Sequence, residues 1–253
     1  MKVAVIGLGV IGKSQTKLYK DYLHVTYDVR DAEPYPIDLI GECDFAVICV
    51  GTPQAENGEA DLTALYEAID TIPWHTPIMV RSTVPPGTIA ALEKERPLIV
   101  HVPEFMYESD TGMWPESADV PFTILGGSPE ACEYFYPYVK SPVFQCTGLE
   151  AEMIKYTANM YVATKVTFMN EISRVCAVFG ADYGKVEEGW KLDPRSGISH
   201  THANQDDPGF GGRCLPKDLS AFIYASRKAG YRPEFLEAVQ NANRRFKSDK
   251  INP

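Results

Sequence analysis

The sequence has no uninterrupted apolar run of the ~18 residues that a membrane-spanning helix requires,. Its opening, Met-Lys-Val-Ala-Val-Ile-Gly, starts like an export signal, but the apolar run is too short and a glycine motif breaks it at once,. The chain therefore reads as cytoplasmic, with no membrane as partner. Basic residues are in deficit: 24 Lys and Arg against 34 Asp and Glu leave a net charge of −10. That balance argues against nucleic acid as a partner, and it leaves room for a local basic pocket around an anionic substrate. None of the six cysteines (43, 49, 132, 146, 176 and 214) falls in a Cys-x-x-Cys pair or another metal-ligand spacing,. His200 and His202 stand two residues apart without a further ligand cluster, so no metal site is expected,. In a reducing compartment the cysteines are thiols, and a reactive one must be picked out by its surroundings. No internal repeat and no low-complexity segment occurs.

What is present fits one to two folded domains. The chain has 253 residues, 45% apolar and 23% charged, enough to bury a sizeable core,. Short apolar runs at 2–6, 24–27, 45–50, 78–80 and 98–102 predict buried strands, with further strands at 121–125 and 143–145,. Helical patterns separate several of them, from Gly12 to about Asp21 and over 61–70, 88–95 and 129–136. Strands that alternate with helices predict an α/β fold with a doubly wound parallel sheet of the Rossmann type. The pattern changes at Gly148. Residues 150–179 hold neither proline nor glycine, which predicts one helix roughly 45 Å long,. Apolar residues lie on more than one of its faces, while Lys155, Lys165, Glu171 and Arg174 rule out a lipid span,. A small domain cannot cover such a helix alone, so a homodimer through 150–179 is expected. Shorter helices follow over 183–190, 216–229 and 233–246, with a loop over 193–213. The expected domains are thus 1–148, binding a dinucleotide, and 149–253, helical and dimerising.

Three clusters carry chemistry. Gly7-x-Gly9-x-x-Gly12 sits between a strand and a helix, where the glycines permit a tight turn and a close approach of pyrophosphate to the helix N-terminus,. Alone the pattern is weak, and a glycine-rich turn that binds no nucleotide is the plain alternative. Asp28 strengthens it: it ends the next strand, 16 residues past Gly12, where a carboxylate takes both ribose hydroxyls and repels a 2′-phosphate,. That favours NAD over NADP, although Arg30 lies nearby. The second cluster is Gly209-Phe210-Gly211-Gly212-Arg213-Cys214-Leu215-Pro216-Lys217-Asp218. A cysteine after a glycine-rich turn, with a proline fit for a first helical turn, is a candidate nucleophile at a helix N-terminus. Asp218, about one turn on, can hold a water or the thiol proton. In the third cluster Glu152, Lys155 and Asn159 open the long helix. Lys155 and Asn159 share a face as an i, i+4 pair and suit an oxyanion, though most such pairs are ordinary surface residues,. Loops after the fourth and fifth strands add Ser82, Thr83, Glu104 and Glu108 at the carboxyl edge of the sheet, where ligands bind in such folds.

These blocks resemble the UDP-glucose/GDP-mannose dehydrogenase family from Met1 to about Phe246. The matching segments are Gly-Leu-Gly-Val-Ile-Gly at 7–12, Val-Gly-Thr-Pro at 50–53, Ser-Thr-Val-Pro at 82–85 and Pro-Glu-Phe at 103–105. They continue with Glu-Met-Ile-Lys-Tyr-Thr-Ala-Asn at 152–159, Asn-Glu-Ile at 170–172, Asp-Pro-Arg at 193–195 and the block around Cys214, the most specific of them. The resemblance implies an NAD-dependent oxidation of a nucleotide sugar, UDP-glucose by default, from a C6 alcohol to a carboxylate. Cys214 would carry the thiohemiacetal and thioester. Lys155 and Asn159 would stabilise oxyanions, Asp218 and Thr83 would hold the water, and Glu104 would be the base. The resemblance further implies a cofactor site of Gly7, Gly9, Val10, Ile11, Gly12, Asp28, Val50, Thr52, Pro53, Ser82, Glu108 and Lys217. The nucleotide sugar would meet Phe105, Lys155, Asn159, Phe210, Gly211 and Arg195, the last reaching into the partner subunit. Members of the family usually carry a third, C-terminal domain, and this chain ends near its expected start, as either a naturally short member or a fragment would. The segment 198–208 is longer and more polar than the commonest loop of the family. Two other readings stay open: a two-electron β-hydroxyacid-type dehydrogenase, which needs no cysteine, and a non-catalytic NAD-binding dimer.

Overall fold

The computed structural model describes residues 1–31, 34–106, 117–139, 142–197, 199–204 and 206–248. The chain divides into two compact units, Met1–Ala55 with Ala60–Lys155, and Glu56–Glu59 with Tyr156–Pro253.

The first unit is a seven-stranded sheet in the order β2-β1-β3-β4-β5-β6-β7, made of β1 (Val3–Ile6), β2 (Leu23–Tyr27), β3 (Phe45–Ile48), β4 (Ile78–Val80), β5 (Ile99–His101), β6 (Thr123–Gly127) and β7 (Val143–Cys146). β1 and β3 are apolar without interruption because both of their faces are covered,. Ala4, Ile6, Ala46 and Ile48 point to one side, where they meet α2 (Ile37–Gly41), α3 (Thr63–Thr71) and α4 (Thr88–Leu92). Val3, Val5, Phe45 and Val47 point to the other, toward Tyr19 at the end of α1 (Val10–Leu18) and Cys132 and Phe135 of α5 (Pro129–Phe135). Helices on both faces make the sheet doubly wound. It is not wholly parallel, however: β6 pairs antiparallel with β5, and β7 then runs parallel to β6. Apolar runs encode burial and carry no direction, which is why the sequence left this reversal unmarked.

α6 (Gly148–Phe179) begins in the first unit and continues through the second. There it is joined by α7 (Tyr183–Trp190), α8 (Leu215–Lys228) and α9 (Glu234–Ser248). Tyr156 of α6 stacks on Phe222 of α8 with ring centroids 5.1 Å apart, and Asp182 caps α7 by accepting the N–H groups of Gly184 and Lys185,. No helix among the described residues is long and apolar enough to cross a membrane. None of the six cysteines is in a disulfide.

Candidate active site

In the first unit the residues gather at the carboxyl ends of β1 to β5. Gly7 turns the chain out of β1 with φ of 88°. A Cβ on Gly12 would stand 1.8 Å from the Gly7 carbonyl oxygen, so helix and turn close only because both are glycine,. Gly9 is the N-cap of α1, no side chain caps it, and a Cβ there would meet open space. Among the described residues the first amides of α1 therefore have no side-chain cap, as an anion site requires,. Beside them lies a cavity of about 600 Å³ lined by Gly7, Gly9, Asp28 and Val50, together with Tyr27, Arg30, Tyr35, Glu67 and Thr71. Asp28 accepts the Leu8 N–H at 2.7 Å and is gripped by Arg30 through Nε at 2.6 Å and Nη2 at 2.7 Å. The Arg30 fork holds its carboxyl well below the usual carboxylate range, so it stays an acceptor,. An acceptor carboxylate, a helix N-terminus capped by glycine and a glycine cradle fit a dinucleotide.

The loops after β3 and β4 are tied together. Thr52 Oγ1 donates to the Thr83 carbonyl at 2.8 Å, Ser82 Oγ donates to the Val50 carbonyl at 2.7 Å, and buried His101 meets the Ser82 carbonyl at 3.2 Å through Nε2. Glu104 is buried and takes four donors: Arg81 and Ser117 Oγ (2.6 Å) on Oε2, and the N–H groups of Phe105 and Met106 (both 2.9 Å) on Oε1. Burial pushes its pKa up, but the Arg81 charge and these hydrogen bonds outweigh it and hold the group below its ordinary value,. Lys155 is buried, with Nζ 5.0 Å from the centre of the Phe105 ring. Glu152, one turn earlier on α6, accepts the N–H groups of Gly87 at 2.6 Å and Ile89 at 2.7 Å and so caps α4,. Val10 and Ile11 open α1 and Pro53 lies in the loop after β3; none of the three lines the cavity. Glu108 lies outside the described residues.

In the second unit Cys214 is exposed and is the N-cap residue of α8. Asp218 is buried one turn on, and its N–H bonds the Cys214 carbonyl at 2.9 Å. Its carboxylate accepts Asn159 Nδ2 at 2.6 Å and Lys217 Nζ at 2.5 Å. Asp218, Asn159 and Lys217 are thus joined through their side chains, and Cys214 stands one turn before Asp218 at the head of α8. Phe210 is buried and Gly211 exposed on the turn that leads to Cys214. Arg195 is not part of the cluster: its side chain is 88% exposed and forked onto Asp193.

Sequence reasoning missed several participants. Arg81 and Ser117 saturate Glu104 from distant chain positions, and no spacing announces such a pair. Tyr35, Glu67 and Thr71 reach the cavity from between the motifs. Arg30 did carry a signal, a basic residue two places after the ribose-binding candidate.

A doubly wound sheet with a glycine cradle at its first helix, followed by a helical unit with a cysteine at a helix head, defines a Rossmann-type dinucleotide-binding protein with a helical second unit. The chain belongs to the UDP-glucose/GDP-mannose dehydrogenase family: residues 36–137 match the family's NAD binding domain and residues 149–245 its central domain. Its cofactor is NAD. It is similar to the UDP-glucose 6-dehydrogenase TuaD of Bacillus subtilis, 38% identical over 79% of this chain and 46% of that protein. A UDP-glucose 6-dehydrogenase of Rickettsia bellii is 34% identical over 81% of this chain and 50% of its own length. Among solved structures, a UDP-glucose dehydrogenase from Pyrobaculum islandicum superposes with a TM-score of 0.82 at 26% identity, over 96% of this chain and 68% of that one. The chain spans about half the length of the curated relatives it matches.

Proposed function

We propose that the chain takes part in the NAD-dependent oxidation of the C6 alcohol of a nucleotide sugar, UDP-glucose foremost, to a carboxylate. The observation that carries this reading is the cluster of Cys214, Asp218, Asn159 and Lys217 at the head of α8, which a two-electron dehydrogenase does not need. NAD⁺, when bound, supplies the hydride acceptor for both oxidations. Cys214 adds through sulfur to the aldehyde carbon, and the resulting thiohemiacetal is oxidised to a thioester. Water then cleaves the C–S bond, leaving carboxylate and thiol. Lys155 and Asn159 stabilise the oxyanions, and Thr83 and Asp218 hold the water. Glu104 is the base in this scheme, and it takes a proton only after Ser117 releases Oε2, because all its acceptor positions are in use,. Lys217 offsets the Asp218 charge, Phe105, Phe210 and Gly211 meet the sugar nucleotide, and Arg195 reaches the sugar site of the partner subunit. The reading is tested by NADH formation with UDP-glucose, UDP-N-acetyl hexosamines and GDP-mannose in parallel. Absence of NADH with every sugar, with NAD⁺ bound, sinks it in favour of a binding module.

Within this reading Asp28 selects the cofactor. Asp28→Ala is expected to weaken NAD⁺ binding about 10- to 100-fold, the worth of hydrogen bonds to a charged group. It also releases Arg30 toward a 2′-phosphate, so the preference for NAD⁺ over NADP⁺ narrows. Titration with both cofactors by calorimetry checks this, and an unchanged preference removes Asp28 from the role.

The homodimer belongs to the same reading. Tyr161 and Phe168, seven residues apart on α6, are 62% and 51% exposed, and Val175, Val178 and Phe179 extend the stripe. A stripe with a seven-residue repeat suits packing against a second copy of the same helix. Light scattering at micromolar concentration is expected to give a dimer, with Phe168→Asp giving a monomer; a monomeric wild type removes the proposal.

A further inference from the structure

Cys214 follows a turn that has no ladder or helix of its own: residues 209–213 are irregular. Backbone groups in such a segment must find side-chain or water partners. Two buried asparagines, from two different helices, supply them. Asn243 of α9 is 9% exposed and addresses the Phe210 backbone with both ends of its amide. Its Oδ1 accepts the Phe210 N–H at 2.7 Å, and its Nδ2 donates to the Phe210 carbonyl at 3.0 Å. Asn170 of α6 is 4% exposed; its Oδ1 accepts the Gly209 N–H at 2.9 Å while its Nδ2 donates to the Val166 carbonyl at 2.8 Å. Each amide is thereby locked in one orientation, because a flip would set donor against donor and acceptor against acceptor.

The turn is shaped to receive them. Gly209 has φ of 82°, and a Cβ there would lie 2.3 Å from Asn243 Oδ1, so the asparagine amide fills the space that the glycine leaves,. At the same turn Lys247 of α9 pairs with Asp207 at 2.6 Å. A buried amide is a costly way to fill a helix interface that an apolar side chain of similar size would pack as well. Its presence, matched to the N–H and C=O of one residue, marks a demand for a fixed backbone.

We propose that Asn243 and Asn170 are positioning residues, an amide clamp on the backbone of Gly209 and Phe210 that holds Cys214 in its reactive place at the head of α8. The proposal rests on the reading of Cys214 as nucleophile. The clamp touches no substrate atom; it acts through the turn, four residues before the sulfur.

The test compares the full chain with its Asn243→Ala and Asn170→Ala variants by three readings. Hydrogen–deuterium exchange across 207–213 reports the clamp itself. Carboxamidomethylation of Cys214 by iodoacetamide, followed on its own peptide, reports the sulfur. NADH formation, with NAD⁺ affinity measured separately, reports the chemistry. Exchange in 207–213 is expected to rise about 10-fold, the effect of losing hydrogen bonds to a buried peptide, with α8 and α9 unchanged. Cys214 alkylation is expected to slow about 5-fold or more as the sulfur leaves the helix head. The kcat is expected to fall about 30-fold with NAD⁺ affinity within about twofold, as displacement of a reacting group does. Faster exchange with alkylation and kcat at wild-type values overturns positioning and leaves a purely structural contact. Unchanged exchange overturns the clamp. If the wild type turns over no nucleotide sugar, the functional reading fails, and exchange with alkylation still decides the clamp. Asn243→Ser, which keeps a short donor and acceptor, gives the same readings in milder form if the alanine variant fails to fold.

Discussion

Replacing Cys214 by alanine is expected to abolish carboxylate formation, with a loss of at least about 10³-fold in the complete oxidation and NAD⁺ affinity within about twofold of wild type. A nucleophile that carries a covalent intermediate has no substitute in its site, and its removal costs more than that of any single oxyanion donor. NAD⁺ affinity is spared because the glycine cradle, Asp28 and the cavity belong to the first unit, while Cys214 belongs to the second. Mass spectrometry of the sugar product, alongside NADH release, checks both halves. Serine at 214 tests the same point more finely: it keeps size and polarity, but its alkoxide is far less available than a thiolate, so the loss is expected to remain near that of alanine. Carboxylate formed by the alanine variant at the wild-type rate rules out the cysteine mechanism.

The second large effect is on stability. Two buried groups of the first unit titrate in opposite senses. Burial lifts the Glu152 carboxyl from its ordinary 4.5 to about 7, despite the N–H groups it caps,. A carboxyl raised in the folded state favours folding while protonated; that stability is whole below pH 4.5 and is lost as pH rises to about 7,. The difference of about 2.5 pH units corresponds to about 3 kcal/mol,. His101 is the converse. Burial presses it from 6.5 to about 3, so the folded protein holds it neutral,. Its contribution is whole above pH 6.5 and is lost as pH falls toward 3, about 3 kcal/mol of it by pH 4.5,. Urea unfolding of wild type, Glu152→Gln and His101→Gln between pH 4.5 and 7.5 separates the two, since every other titrating group is shared. Relative to wild type, the Glu152→Gln protein should gain about 3 kcal/mol on going from pH 4.5 to 7, and the His101→Gln protein should lose about as much. Curves that stay parallel across the range contradict both assignments.

Much of this fold was legible because its signals are local. Val3–Ile6 and Phe45–Ile48 are apolar through their whole length, which only a sheet covered on both faces explains,. Gly7 and Gly12 announce their turn because the positive φ of one and the close approach of the other to it act within a few residues of chain. The thirty residues without glycine or proline announce α6 for the same reason. What was not legible depends on contacts between distant segments. The antiparallel pairing of Val100 with Gly127 is set by how the chain returns to the sheet, and no side-chain period encodes that,. α2, five residues behind Pro36, is too short to show a period,. The candidate site divides the same way. Cys214 and Asp218 stand four apart on one helix and could be paired from spacing, whereas Arg81 meets Glu104, and Asn243 meets Phe210, only in the folded chain. The consequence for Glu104 is chemical: a sequence names a carboxylate, and only its four donors reveal that it is already occupied.

The most direct test of the account is the ratio of NADH formed to nucleotide sugar consumed, counted to completion with the one sugar that reacts. Two oxidations joined through a thioester on Cys214 predict two NADH per sugar, a carboxylate product and no aldehyde in solution. One NADH per sugar, with an aldehyde or ketone as product, contradicts the four-electron mechanism and the role assigned to Cys214.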